Sequence, residues 1–223
     1  IADTCQSLHP GFNFTGMEDF KILKGLTFND SDYDVNMELK SIGENKEGEK
    51  VYEAIITSEN STNRKVFHYS GRVTLKKRPR PLRQHPPIET FELDSSKYRD
   101  GNGLYQDGTL FHGPTFHGIQ QVLQVNKEKV ITKVLIPQID ISVQGQFSAR
   151  ITNPFINDAI VQSLLLWTQE FYDAPCLPSR LHNWEQFRMI PFDVPVWAIL
   201  SITYHNDHAV VGNILVQDEN GGE

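Results

Sequence analysis

At 223 residues, with 39% apolar and 22% charged side chains, the chain is long enough for one large or two small cores and too apolar to be disordered. A formal charge of −7 and a pI near 5.6 argue against a broad nucleic-acid surface, and no apolar run reaches the length that crosses a bilayer. Its two cysteines, Cys5 and Cys176, stand far apart in no metal or redox spacing, so a reduced, cytoplasmic setting is expected.

Ile1 to Leu8 reads as the tail of a helix stopped by His9, Pro10 and Gly11. Glu18 to Phe28, Asp34 to Ile42, Lys50 to Ser58 and Lys65 to Leu75 alternate or are β-branched between Asn, Asp, Ser and Gly punctuation, which predicts an antiparallel meander. Lys76 to Pro87 holds four prolines and five Lys or Arg residues, which fits a solvated, partly extended connector. After a turn-rich entry, Ser95 to Leu123, strands are predicted near Lys129 to Leu135, Gln186 to Met189, Val194 to Tyr204 and Ala209 to Gln217. His205 to His208 form the hairpin loop between the last two. The order is helix then strands, connector, helix then strands. It predicts two α+β units, Ile1 to Leu75 and Glu89 to Glu223, joined by a linker over Lys76 to Ile88.

The second unit is organised by one helix, Asn153 to Gln169. Asn153 suits the N-cap and Pro154 the first turn, where a missing N–H costs nothing. Phe155, Ile156, Ala159, Ile160, Val161, Leu164, Leu165, Leu166 and Trp167 cover most of its circumference, so it is predicted to be wrapped by other structure. Asp158 and Gln162 interrupt that coat on one face, one turn apart. A carboxyl enclosed by apolar side chains holds its proton more tightly, which suits a general acid. The plainer alternative, equally open on the residues alone, is that the two satisfy only each other or nearby backbone. The tryptophans Trp167, Trp184 and Trp197 are expected in packing roles.

These stretches resemble a known family. NPFINDAIVQ is similar to the second-half motif H-P-x-x-x-D-x-x-x-Q of polyketide-synthase-type dehydratase domains, with Asp158 and Gln162 at its two named positions. LFHGPTFHGI resembles that family's Y-G-P and F-Q-G segments, with His112 in the tyrosine position, then Gly113 and Pro114, and His117 in the glutamine position. LPSRLHNWEQFRMIP, KVFHYSGRVTL and EDFKILKGLTF also fit in order, the last resembling the version in polyunsaturated fatty acid synthases.

The resemblance implies a double hot dog, two antiparallel sheets each wrapped round a central helix. It also implies removal of water from a 3-hydroxyacyl chain to give a 2-enoyl thioester. The substrate would ride on the phosphopantetheine arm of an acyl carrier protein, with no other cofactor. Partners would be that carrier and neighbouring synthase domains, and the fold allows a homodimer. Asp158 takes the place of the acid and Gln162 that of its orienting partner; His112, Gly113, Pro114 and His117 would line the substrate site. The family's base is a histidine in H-x-x-x-G-x-x-x-x-P, a pattern that occurs nowhere in these 223 residues. The chain is therefore read as an excerpt beginning downstream of it, with a non-catalytic acyl-binding or scaffolding double hot dog as the alternative. His112 and His117 could be ligands of a metal with Asp158, but no third and fourth ligand is apparent, so pocket or structural roles are expected for both histidines.

Overall fold

The computed structural model describes residues 1–26, 34–44, 48–60, 62–145 and 148–223. In chain order the elements are α1 (Ala2–Ser7), β1 (Asn13–Ile22), β2 (Asn36–Glu44), β3 (Lys50–Glu59), β4 (Lys65–Lys76), β5 (Arg99–Asp100), α2 (Gly101–Gln106), β6 (Ile119–Val125), β7 (Lys129–Val134), α3 (Pro154–Tyr172), β8 (Arg180–Glu185), β9 (Val196–His205) and β10 (Val210–Gln217). The strands form two antiparallel five-stranded sheets, ordered β2-β3-β4-β1-β8 and β10-β9-β7-β6-β5. Contacts divide the chain into Ile1–Pro81 with Pro178–Arg188, and Leu82–Leu177 with Met189–Glu223.

The first unit is the predicted meander with one addition. The strand expected around Gln186 to Met189 lies instead at Arg180–Glu185, and it pairs with β1 rather than with the second sheet. The linear division at Leu75 and Glu89 is therefore crossed once, when the chain returns to the first unit for β8. Gly16 makes the pairing fit, since a Cβ there would stand 2.4 Å from the Trp184 carbonyl oxygen. Asp19, in a left-handed conformation at a register shift of β1, accepts from both Arg72 and Arg180 and so ties β4 and β8 to the same bulge. The core of the unit lies on Phe14, Met17, Tyr52, Ala54, Val73 and Leu75, with Cys5 of α1 buried as well. The expected first strand ran to Phe28, but residues 27 and 28 lie outside the described residues.

The second unit is a sheet with one long helix on it. α3 packs on β6, β7, β9 and β10, and between Pro154 and Gln169 every residue but Pro154 is buried or partly buried, as the apolar circumference predicts. Strand periodicity sorts the opposite faces. Val130 and Leu200 pack with Trp167, and Val134 and Ala198 join the cluster of Ile156, Ala159 and Leu166. Ile131, Trp197 and Ile199 point the other way, onto Ile88, Phe91 and Leu93. The Pro-rich connector is fastened at both ends. Arg80 donates to the Thr15 carbonyl at 3.1 Å and pairs with Glu185, while His85 and Arg83 exchange backbone hydrogen bonds with Gly221 and Glu223. His205 and His208 are exposed in their hairpin, and Trp167 and Trp197 are buried in packing roles. No described helix is long and apolar enough to cross a membrane.

Candidate active site

The site starts at the N-terminus of α3. Asn153 caps it by accepting from Ile156 N at 3.3 Å, and its own amide donates to the Ile190 carbonyl at 3.1 Å, so this 1%-exposed side chain is fully employed. The cap sets the phase of the first turns. Ile156, Ala159, Ile160 and Ser163 face the core, which leaves Asp158 at the flank of the buried stripe and Gln162 inside it.

Gln162 is 3% exposed and satisfied on every side. Its Nε2 donates to Asp158 Oδ2 and to the Phe116 carbonyl, both at 3.0 Å, and its Oε1 accepts from the Tyr105 hydroxyl at 2.7 Å. Asp158 is different: its side chain is 42% exposed, so the enclosed carboxyl expected from the helix pattern is not found. The reason is helical geometry, because one residue short of Ala159 the Cβ has turned from the sheet toward the open side. The pair bonds to itself, while Oδ1 has no hydrogen-bond partner among the described residues.

The 112–118 loop closes over this pair. His112 Nε2 lies 3.7 Å from Asp158 Oδ2, too long for a hydrogen bond, and the ring stacks on exposed Phe111 with centroids 4.6 Å apart. Its buried Nδ1 has no hydrogen-bond partner among the described residues. His117 Nε2 bonds the His112 carbonyl oxygen at 2.9 Å, and Gly113 and Pro114 form the turn that lets it do so. The loop thus brings His112, Gly113, Pro114 and His117 to the Asp158–Gln162 pair. No group of three or more His, Cys, Asp or Glu able to hold a metal occurs among the described residues.

Tyr105 completes the site and was not anticipated from the sequence. It sits on α2, a one-and-a-half-turn helix capped by Asp100, in a Gly-rich stretch, GNGLYQ, that does not read as helix. Its hydroxyl accepts from Ile119 N at 3.1 Å, and burial pushes its pKa up to about 12. The His117 ring stacks on it at 4.0 Å and 12°. Gly118, between that loop and β6, must be glycine, because a Cβ would lie 2.5 Å from Ala159 Cβ and 2.9 Å from Ile136 Cγ1.

Two antiparallel five-stranded sheets, the second with a long helix packed on it, make the arrangement called a double hot dog. Residues 82–223 match the family model described as the polyketide synthase dehydratase N-terminal domain, so the chain belongs to that family. Over 216 residues it is 27% identical to a polyunsaturated fatty acid synthase polypeptide of Thraustochytrium sp., a match covering 94% of this chain and 7% of that protein's length. Among solved structures, the dehydratase domain from the CurF module of curacin polyketide synthase superposes with a TM-score of 0.76 at 21% identity, covering 99% of this chain and 76% of that one. The RzxB dehydratase domain of Pseudomonas fluorescens superposes at 0.70 with 12% identity, covering 98% and 76%. At those identities the structures speak to fold alone.

Proposed function

We infer that the chain removes water from a 3-hydroxyacyl thioester, with Asp158 as the acid that protonates the departing β-hydroxyl and Gln162 as its orienting partner. The observation that carries this reading is the Asp158–Gln162 pair, bonded at 3.0 Å on a helix whose sequence resembles the second-half motif of dehydratase domains and lies within the residues that match the family model. In the reaction the α C–H bond breaks, its electron pair becomes the new C–C π bond, and the C–O bond at Cβ breaks. The oxygen leaves as water with the proton from Asp158. The α-proton goes to a base, which in this family is a histidine in a pattern absent from these 223 residues; return of that proton to Asp158 closes the cycle.

The acyl chain would be presented on the phosphopantetheine arm of an acyl carrier protein in the cytoplasm, with no further cofactor and with neighbouring synthase domains as partners. His112, Gly113, Pro114 and His117 would line the path to Asp158. The test is water loss or rehydration of carrier-linked 3-hydroxyacyl substrates followed by mass spectrometry. Turnover that disappears in Asp158→Asn is the expected result, and full turnover by that variant overturns the assignment. A second reading, an acyl-binding or scaffolding domain without catalysis, is favoured by one observation, the 42% exposure of the Asp158 side chain. Binding of the carrier-linked chain without water loss by the full native polypeptide would select it.

A further inference from the structure

We propose that Tyr105 is the positioning residue of the Asp158–Gln162 pair, locking the Gln162 amide in the orientation that commits Asp158 Oδ2 as an acceptor and leaves Oδ1 to carry the transferable proton. The catalytic consequence rests on the dehydratase reading; the orientation rests on geometry alone.

A tyrosine hydroxyl has one proton to give and lone pairs to receive. Ile119 N–H donates to it at 3.1 Å, so its proton goes to the nearer acceptor, Gln162 Oε1 at 2.7 Å, rather than to the Phe116 carbonyl at 3.5 Å. Gln162 Nε2 then has two protons and two acceptors, Phe116 O and Asp158 Oδ2, each at 3.0 Å. The flipped amide would aim Oε1 at two acceptors and its NH₂ at the tyrosine oxygen that already takes the Ile119 proton. At 3% exposure no solvent compensates for those losses. The Ile119 backbone, Tyr105, Gln162 and Asp158 thus form one directed chain of donors.

Its end fixes the chemistry of the carboxyl. Oδ2 receives the Gln162 proton and is also the oxygen that faces His112 Nε2, at 3.7 Å. Oδ1 has no partner among the described residues, and the side chain is 42% exposed, so Oδ1 is the oxygen that is both free to hold a proton and open to a substrate. Tyr105 keeps its own proton at every pH suited to an assay, because burial pushes it up to about 12. His117, stacked on the phenol at 4.0 Å and tied to the His112 carbonyl, holds the ring in place.

Two measurements test this. In the 223-residue chain, the Gln162 side-chain amide protons, read by ¹H–¹⁵N correlation, should exchange with solvent about tenfold faster in Tyr105→Phe than in the unaltered chain. If Tyr105→Phe does not fold, 3-fluorotyrosine at 105 keeps the ring and strengthens the donor, and it should slow the same exchange. In the full native polypeptide, Tyr105→Phe should lower kcat about tenfold with KM unchanged, and should have no further effect in a Gln162→Ala background. Unaltered Gln162 exchange, or kcat losses that multiply in the double variant, overturn the proposal. An unaltered polypeptide that loses no water overturns the dehydratase reading instead, and the amide measurement then decides the role of Tyr105 by itself.

Discussion

Gln162 donates to Asp158 Oδ2 at 3.0 Å from one helical turn away, so the carboxyl and the amide are carried by a single rigid element. The exchange Asp158→Asn keeps the shape of the side chain and removes its transferable proton. In the full native polypeptide it is expected to lower kcat by about 10²- to 10⁴-fold, the usual worth of a positioned acid, while the melting temperature stays close to that of the unaltered protein. Gln162→Ala removes orientation rather than the donor and should cost less in kcat. Asp158→Asn turning over at the unaltered rate would sink the acid assignment.

Gly118 and Ala159 meet where β6 begins, and the contact sets how near the 112–118 loop stands to Asp158. A Cβ on Gly118 would press 2.5 Å from Ala159 Cβ and 2.9 Å from Ile136 Cγ1, atoms of a helix and a packed core that have little room to yield. Gly118→Ala should destabilise the unit by about 1 to 3 kcal/mol, the range for overpacking. Adding Ala159→Gly relieves the closer clash. Urea denaturation of the single and double variants should therefore give a coupling energy of compensating sign, and strict additivity would argue against the contact.

The start of α3 was legible because Asn153 and Pro154 are local signals with a mechanism, and the cap lies where they predict it. Its end was not: the helix runs to Tyr172, past Gln169, and stops at Asp173 in the left-handed region without the glycine that usually marks such a turn. β8 was misplaced by several residues because its pattern, RLHNWE, is weak and buries no residue fully, and its place is decided by Gly16 and Asp19, far back in the chain on β1. For the site, the nearness of Gln162 and His112 to Asp158 could be read in advance. Tyr105 could not, since its partners come from α3 and β6 and nothing local to GNGLYQ announces them. The exposure of Asp158 was missed for a related reason, as composition of a helix face does not say where the covering sheet ends.

Asn153 does two jobs with one amide, capping α3 through Oδ1 and holding the Ile190 carbonyl through Nδ2 at 3.1 Å. Asn153→Ala should lose both and cost roughly 2 kcal/mol, about half from the cap and half from the unpaired carbonyl. Asn153→Ser keeps a capping oxygen and should recover the first part only. Chemical denaturation of the three chains would show this ordering, and a serine variant no better than alanine would mean that the cap contributes little here.

The last prediction concerns alkaline pH and follows from Tyr105. Burial raises its pKa from the ordinary 10.0 to about 12 in the folded chain, while the unfolded chain titrates near the ordinary value. Below pH 10 both states keep the proton, and the contribution of this group to stability is fully present. Between pH 10 and about 12 the unfolded chain gives up its proton while the folded one still holds it, so stability falls as pH rises; above about 12 the loss levels off. The chain has seven tyrosines, so the informative quantity is the difference between the unaltered protein and Tyr105→Phe. Phenylalanine loses the hydrogen bond to Gln162, which lowers stability at neutral pH, but it has no proton to lose. The gap in unfolding free energy between the two chains should therefore narrow as pH is raised from about 9 through about 12. Equal slopes for both chains across that range would show that the Tyr105 hydroxyl is not held from solvent as its place between Ile119 and Gln162 requires.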